Sequence, residues 1–223
     1  MKTHQGLFIT FEGPEGAGKT TQIELFCRLL QKRLIPFLAT REPGGSKLST
    51  HLRKWILNRL EYQLAPQTEL FLFLADRAQH VKEVIVPALQ KGKVVVCDRY
   101  TDSTLAYQGG GRGFSMPVLD QFNETATGGL KPDLTVLFDI PVELGLKRAV
   151  GRGKGKDRME KEALDFHRRV RQTFLKIAGH EKKRVLVLNA QKSREAVFDD
   201  LEKGLSARLQ GNWRRKIMGK GDS

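Results

Sequence analysis

With 223 residues, 39% of them hydrophobic, the chain is long enough for one α/β domain with a substantial core. No apolar run approaches the length that spans a bilayer, and a single lysine precedes the first apolar run, so we expect neither a membrane anchor nor a signal peptide. The formal net charge of +14 favours anionic partners, either nucleic acid or phosphorylated small molecules. Cys27 and Cys97 are typical of buried thiols in a reduced, cytoplasmic protein, and the histidines show no metal-ligand spacing.

Apolar runs and helical periodicity alternate along the chain, which predicts a parallel sheet covered by helices on both faces. Short runs rich in Val, Leu, Ile or Phe predict strands at 7–12, 35–40, 93–98, 133–140 and 184–189. Helical patterns lie near 20–33, 46–60, 67–90, 116–128, 142–150, 160–178 and 194–209, with a kink expected ahead of Pro87. We predict one domain over 1–210, with a mobile basic lid at about 150–160, and a flexible basic tail at 211–223.

A glycine-rich motif follows the first predicted strand and opens the first predicted helix. It has the form Gly-x-x-x-x-Gly-Lys-Thr, and this strand–turn–helix context is what a phosphate-binding loop requires. Lys19 is expected to reach the β- and γ-phosphates of a nucleoside triphosphate, and the Thr20 hydroxyl to hold magnesium. The residues expected to bind the nucleotide are Gly13, Pro14, Glu15, Gly16, Ala17, Gly18, Lys19, Thr20 and Thr21.

Charged side chains follow two other predicted strands, at the sheet edge where ligands gather in open parallel sheets. Asp98 and Arg99 end the strand at 93–98, where the aspartate can support magnesium and the arginine a transferring phosphate, although a structural ion pair would look the same. Arg41 ends the strand at 35–40 and makes a second anion site possible there. Phe73 and Arg77 share one helix face and could stack on and bond a nucleobase, or be ordinary core and surface residues.

Two further segments carry candidate residues. Residues 107–113 combine a phenol, an amide and several glycines, and are equally an ordinary glycine turn. The phosphate loop holds no arginine, whereas residues 151–158 are glycine-rich and basic, so we expect this flap to supply the missing transition-state cation. A solvated charge run is the alternative.

Taken in order, these segments resemble bacterial thymidylate kinases, P-loop enzymes that transfer the γ-phosphoryl group of ATP to dTMP. The resemblance rests on Phe11-Glu12-Gly13 through Thr21, Thr40 to Gly45, Ala75 to His80, Asp98-Arg99-Tyr100, Ser103, Ala106 to Gly109, Arg112-Gly113, Lys131-Pro132-Asp133 and Asp157 to Glu160. It implies a P-loop kinase fold with a five-stranded parallel sheet, ATP and Mg²⁺ as cofactors, dTMP as substrate, and a homodimer. The lysine-rich flap, the high charge and the tail after residue 210 depart from the family pattern.

The resemblance also implies a role for each matching residue. Glu15 would meet the sugar 3′-hydroxyl or the magnesium shell, Tyr107 would crowd the 2′ position, and the bond before Pro43 would be cis. The implied substrate-binding set is Glu15, Arg41, Pro43, Arg53, Phe73, Arg77, Arg99, Ser103, Thr104, Tyr107 and Gln108. The implied catalytic cations are Lys19, Arg99, Arg152 and Arg158, with Arg148 also closing over ATP. The implied metal set is Thr20, Glu15, Asp98, Asp157 and Glu160.

Two alternatives to a dTMP kinase remain open. Another nucleotide or deoxynucleoside kinase of the same fold is the nearer one, although an uncharged nucleoside would not need three acceptor-side arginines. A P-loop nucleic-acid-binding ATPase would explain the charge, but the sequence shows neither an arginine-rich helical face nor an aromatic-studded strand that stacks bases. Specific nucleic-acid binding is therefore not expected.

Overall fold

A computed structural model describes residues 5–57, 64–151, 159 and 162–218. Five parallel strands form one sheet in the order β2-β3-β1-β4-β5. The strands are β1 (Leu7–Glu12), β2 (Phe37–Arg41), β3 (Val94–Asp98), β4 (Leu134–Asp139) and β5 (Val185–Asn189). The predicted α/β fold with a five-stranded parallel sheet is therefore confirmed.

The helices cover both faces of this sheet. Their bounds are α1 (Lys19–Lys32), α2 (Lys47–Leu57), α3 (Pro66–His80), α4 (Val86–Gln90), α5 (Thr101–Thr104), α6 (Met116–Thr127), α7 (Val142–Val150), α8 (Leu164–His180), α9 (Arg194–Arg208) and α10 (Gly211–Met218). Helices α1 and α9 pack on one face, against alternate strand residues such as Ile9 and Val96. On the other face, Phe8 and Val95 of the same strands pack against the chain at 81–89. Because β1 is central and covered on both sides, all its residues are buried.

The long helical pattern at 67–90 is one continuous run with an irregular middle. A π-helical segment, Val81–Ile85, joins α3 to α4 just ahead of Pro87. The missing N–H of proline removes one intrahelical donor, which gives a physical reason for the irregularity at that point.

Residues 101–111 form a helix that the sequence does not predict. Helix α5 continues into a π-helical segment, Leu105–Gly111, which contains Tyr107 and Gln108. Its glycines lower helix propensity, but Gly109 packs directly against α6, and Gly110 and Gly111 against α8. A Cβ built on Gly111 would lie 2.4 Å from the Phe166 ring, so tertiary packing selects glycine here.

The C-terminal prediction is wrong for residues 211–218. They form α10 instead of a flexible tail, and the Ile217 side chain is fully buried in the core cluster of α1 and α9, with Trp213 packed against the same cluster. The two apolar residues lie four apart and so share one helix face, which the surrounding basic residues conceal in the sequence. Residues 219–223 lie outside the described residues, as does most of the predicted lid. In the part of the chain that is described, no helix is both long and apolar enough to cross a membrane.

Candidate active site

The phosphate loop joins the buried end of β1 to the start of α1. Gly16 adopts a φ of 68°, and a Cβ built there would lie 1.9 Å from the Gly145 carbonyl oxygen, so this position accepts only glycine. The first backbone N–H groups of α1 lie at the carboxyl edge of the sheet, beside the loop, and have no intrahelical acceptors. The loop can therefore receive an anion through backbone donors.

The Lys19 side chain folds back onto the start of this loop. Its Nζ donates to the carbonyl oxygens of Gly13 and Pro14, both at 3.0 Å. Burial, and then repulsion from Arg99, lower the pKa of Lys19 to about 8, against the attraction of the nearby carboxylates. A bound phosphate would raise this pKa and so favour the charged form of the lysine further.

Arg99 connects the end of β3 to the phosphate loop. Its guanidinium donates to the Gly13 carbonyl oxygen at 3.1 Å and to Glu15 Oε1 at 2.6 Å, and it lies over the Tyr107 ring. The Tyr107 hydroxyl donates to the same Glu15 oxygen at 2.8 Å. Although burial opposes it, the Arg99 charge holds the pKa of Glu15 at about 2. Glu15 Oε1 is thus an ionised acceptor with two donors of its own.

A buried carboxyl group holds Arg99 in an unusual backbone conformation. Arg99 has a φ of 71°, which for a residue with a side chain costs about 1–3 kcal/mol. Glu12 accepts from the Tyr100 backbone N–H at 2.7 Å and from the Ser103 hydroxyl at 2.6 Å. Burial and the neighbouring Asp102 raise the pKa of Glu12 to about 8. Glu12 therefore fixes the turn that carries Arg99, a candidate catalytic residue.

The donor set fits a magnesium ion held mainly by nucleotide phosphates. Asp98 Oδ1 is buried and has no hydrogen-bond partner among the described residues, and both Thr20 and Asp98 line the cavity described below. Within the described ranges, no group of three His, Cys, Asp or Glu residues could hold a metal by itself. Such a site, with few protein ligands, is what magnesium accepts when it binds with phosphates.

A second group of cations follows β2. Arg41 ends this strand, and the Glu42–Pro43 bond is cis, as expected. Arg53 of α2 donates from Nη1 to the Pro43 carbonyl oxygen at 2.6 Å. The cis turn and the two arginines line the same cavity as the phosphate loop, and they follow β2, which β3 separates from β1 in the sheet.

Arg77 lies at the centre of a buried network and does not project freely towards a ligand. Its guanidinium donates to Glu42 at 2.8 Å, to the Thr104 hydroxyl and Asn123 amide oxygen at 2.7 Å each, and to the Tyr100 carbonyl oxygen at 2.9 Å. These contacts use four of its five N–H groups. Arg77 also lines the cavity, and its fifth N–H has no partner in the described part of the chain.

One cavity of about 1360 Å³ joins the phosphate loop to the cation group after β2. Phe73 and Gln108 line it next to Arg77, as an aromatic platform and an amide would for a planar base. The sequence candidates that line the cavity are Glu15, Gly16, Ala17, Gly18, Lys19, Thr20, Thr21, Arg41, Pro43, Arg53, Phe73, Arg77, Asp98, Arg99, Ser103, Thr104, Tyr107, Gln108 and Arg148. Gly13 and Pro14, the first two residues of the loop, are not among the residues that line the cavity, and their carbonyl oxygens accept from Lys19.

Four candidates belong to the predicted lid. Arg152, Arg158, Asp157 and Glu160 lie outside the described residues. Arg148 donates to the carbonyl oxygens of Ala190 and Gln191, at 2.7 and 3.3 Å, so its guanidinium is tied to the loop after β5.

Sequence reasoning missed cavity residues after β5 and in α2. Lys54, Lys192 and Arg194 also line the cavity. For the last two the signal was present, because they follow the carboxyl end of a strand in the same way as Arg99.

Comparison with known proteins agrees with this geometry. A family model described as thymidylate kinase matches residues 11–201. The thymidylate kinase of Carboxydothermus hydrogenoformans is 51% identical over 207 residues, covering 93% of this chain and 100% of that protein. Those of Nostoc sp. and Deinococcus radiodurans are 46% and 49% identical, each covering 92% of this chain and 98% of the relative. With a phosphate loop and a second group of cations lining one cavity, and matches over nearly its whole length, the chain belongs to the thymidylate kinase family.

Proposed function

We propose that the protein transfers the γ-phosphoryl group of ATP to dTMP, giving dTDP and ADP. The observation that carries this proposal is a single cavity with a phosphate loop at one end and, at the other, Arg41 and Arg53 beside a base-sized platform. A nucleoside triphosphate fits the first end, and a nucleoside monophosphate fits the second. Membership of the family supports the identity of both substrates.

The reaction joins the two ends of the cavity. A phosphate oxygen of dTMP forms a bond to the γ-phosphorus while the bond from that phosphorus to the bridging oxygen breaks, and ADP leaves with the electron pair. Because negative charge passes between the two nucleotides, fixed cations on this path stabilise the transition state. Lys19 is proposed to bind the β- and γ-phosphate oxygens, and Arg99, held by Glu15 and Ser103, to meet the transferring group.

Magnesium is proposed as the metal cofactor, with the Thr20 hydroxyl as a ligand and the Asp98 carboxylate supporting its waters. When bound, the ion neutralises charge on the ATP phosphates. Glu15 is better assigned to positioning Arg99 and Tyr107 than to the metal.

The basic flap is proposed to complete the charge around the phosphates. Arg152 and Arg158 would each supply a planar guanidinium that can bind two phosphate oxygens at once. Asp157 and Glu160 remain proposed neighbours of the metal.

The protein is also proposed to be a cytoplasmic homodimer. Helices α2, α3 and α6 lie side by side and carry exposed apolar side chains. Trp55 is 53% exposed, Phe71 56% and Val118 42%, and the Phe71 and Phe122 rings lie 6.0 Å apart. Such a patch is typical of a protein interface, and a second copy of this chain is the occupant that the family suggests.

A substrate panel tests the proposed function. ADP formation is measured with dTMP, dUMP, dCMP, dGMP and thymidine, each at several concentrations. We expect dTMP to give the highest kcat/KM and thymidine almost none, because thymidine lacks the phosphate that Arg41, Arg53 and Arg99 would bind. Preference for thymidine would identify a deoxynucleoside kinase. ATP hydrolysis that depends on added DNA would identify a nucleic-acid-dependent ATPase.

A further inference from the structure

Glu69 of α3 is a buried carboxylate just behind the proposed base pocket. Its side chain is 1% exposed, and that of Gln108 is 2% exposed. Gln108 donates from Nε2 to Glu69 Oε1 at 3.0 Å. Gln108 lines the cavity, whereas Glu69 does not, so Glu69 contacts the pocket through this amide.

A second donor fixes the Glu69 carboxylate. Arg112 donates from Nε to Oε1 at 3.3 Å and from Nη2 to Oε2 at 3.1 Å. Arg112 also pairs with Glu162 at 2.6 Å and lies over the Phe166 ring, and these two contacts fix the position of its guanidinium. Both Glu69 oxygens therefore act as acceptors in a fixed position.

This arrangement determines which way the Gln108 amide faces. The oxygen and NH₂ ends of a glutamine amide have nearly the same shape, and only the hydrogen-bond network distinguishes them. Since the carboxylate accepts hydrogen bonds, it requires the NH₂ end of Gln108. The carbonyl oxygen, Oε1, is then the end left for a ligand in the cavity.

We propose that Glu69 determines base specificity by fixing Gln108 as a hydrogen-bond acceptor towards the base. Thymine carries a hydrogen on N3 and can donate to Oε1. Cytosine has a lone pair on N3, so the same oxygen would face an acceptor and leave both groups unpaired in a buried site. Glu69 is a positioning residue in this proposal, which rests on the proposed dTMP kinase function.

This contact is separate from the one available to Arg77. Arg77 is an obligate donor and could distinguish the oxygen at C4 of thymine from the amino group of cytosine. Glu69 acts on the neighbouring position, N3, through the Gln108 amide, which could present either its donor or its acceptor end to the base if Glu69 did not fix it.

The test is Glu69→Gln, with Glu162→Gln as the matched control. Both substitutions replace one acidic partner of Arg112 by an amide, but only Glu69 contacts Gln108. In Glu69→Gln, Arg112 Nη2 can donate to the oxygen of the introduced amide. The NH₂ group of the introduced amide can then donate to the Gln108 oxygen, and this leaves the NH₂ group of Gln108 facing the cavity. We expect the ratio of kcat/KM for dTMP to that for dCMP to fall about tenfold or more, with kcat/KM for dCMP rising in absolute value. Glu162→Gln should keep the ratio.

A double-mutant cycle shows whether Glu69 acts through Gln108. In a Gln108→Leu background, Glu69→Gln should no longer change the ratio, because the amide that it turns is absent. Glu69→Ala is the second variant if Glu69→Gln folds poorly, since it also removes the acceptor for Gln108 and should lower the ratio.

The outcomes separate this inference from the proposed function. A wild-type protein without preference for dTMP would refute the function itself. A wild-type protein with that preference, and Glu69 variants that keep it or lose activity equally towards both substrates, would overturn the role of Glu69 alone.

Discussion

Lys19 is the residue on which phosphoryl transfer should depend most, because it carries the one positive charge among the residues of the phosphate loop, Gly13 to Thr20. We expect Lys19→Ala to retain less than about a tenth of wild-type turnover, since a lost cation at developing charge costs several kcal/mol. Turnover and the thermal melting temperature should be measured together. Lys32→Ala removes a lysine from the exposed end of the same helix and should keep full activity; near-wild-type turnover in Lys19→Ala would contradict the assignment.

The ionisation of Glu15 should make the free energy of unfolding depend on pH in the acidic range. Its pKa is about 2 in the folded chain against 4.5 ordinarily, so its carboxylate stabilises the fold above pH 4.5 and this contribution is lost as the pH falls towards 2. We expect Glu15→Gln to lower the free energy of unfolding by up to about 3 kcal/mol at pH 6.

Denaturant unfolding at several pH values checks this dependence. The difference between the wild-type protein and Glu15→Gln should shrink steadily below pH 4.5. A difference that stays constant down to pH 3 would show that the Arg99 contact does not set the ionisation of Glu15.

At the scale of elements, Arg77 joins α3 to the turn after β2, to α5 and to α6. Arg77→Met leaves the Glu42 carboxylate buried with His80, at 3.0 Å, as its remaining side-chain partner among the residues that the structure describes. Removing one partner of a buried ion pair costs about 3–5 kcal/mol, so we expect a large loss of unfolding free energy.

Chemical denaturation of the two proteins measures that loss. Lys82→Met is the matched control, because Lys82 is exposed on the same helical run, and its effect should be within about 0.5 kcal/mol. A loss below about 1 kcal/mol for Arg77→Met would mean that the elements hold together without this network.

At the scale of the whole molecule, the exposed face of α2, α3 and α6 should decide the oligomeric state. Light scattering after size exclusion should give twice the chain mass of 25.2 kDa for the wild-type protein. Phe71→Glu should give the monomer mass at the same concentration, because a charge cannot be buried unpaired in an apolar interface.

Leu34→Glu controls for surface charge alone. Leu34 is 90% exposed at the end of α1 and lies outside the α2–α3–α6 face, so this variant should remain dimeric. A monomeric wild-type protein, or a dimeric Phe71→Glu variant, would refute this interface.

The phosphate loop and the five strands could be predicted because their signals are local. A glycine motif between a strand and a helix specifies an anion site by backbone conformation alone, and short apolar runs specify buried parallel strands. The order Lys19, Arg41, Arg99 along the chain also predicted one shared site, because parallel strands end at the same edge of a sheet.

Tertiary structure alone decided how the proposed base pocket is built. The glycines of residues 109–111 indicate a turn by propensity, yet they form a helix whose close packing against α6 and α8 leaves no room for a Cβ. The spacing of Phe73 and Arg77 left open a base contact or an ordinary core and surface pair, whereas partners up to 46 residues away use most of the Arg77 donors. The orientation of Gln108 depends in the same way on Glu69, 39 residues away. Buried donors and acceptors find their partners in space, and one sequence taken alone carries no local signal for that pairing.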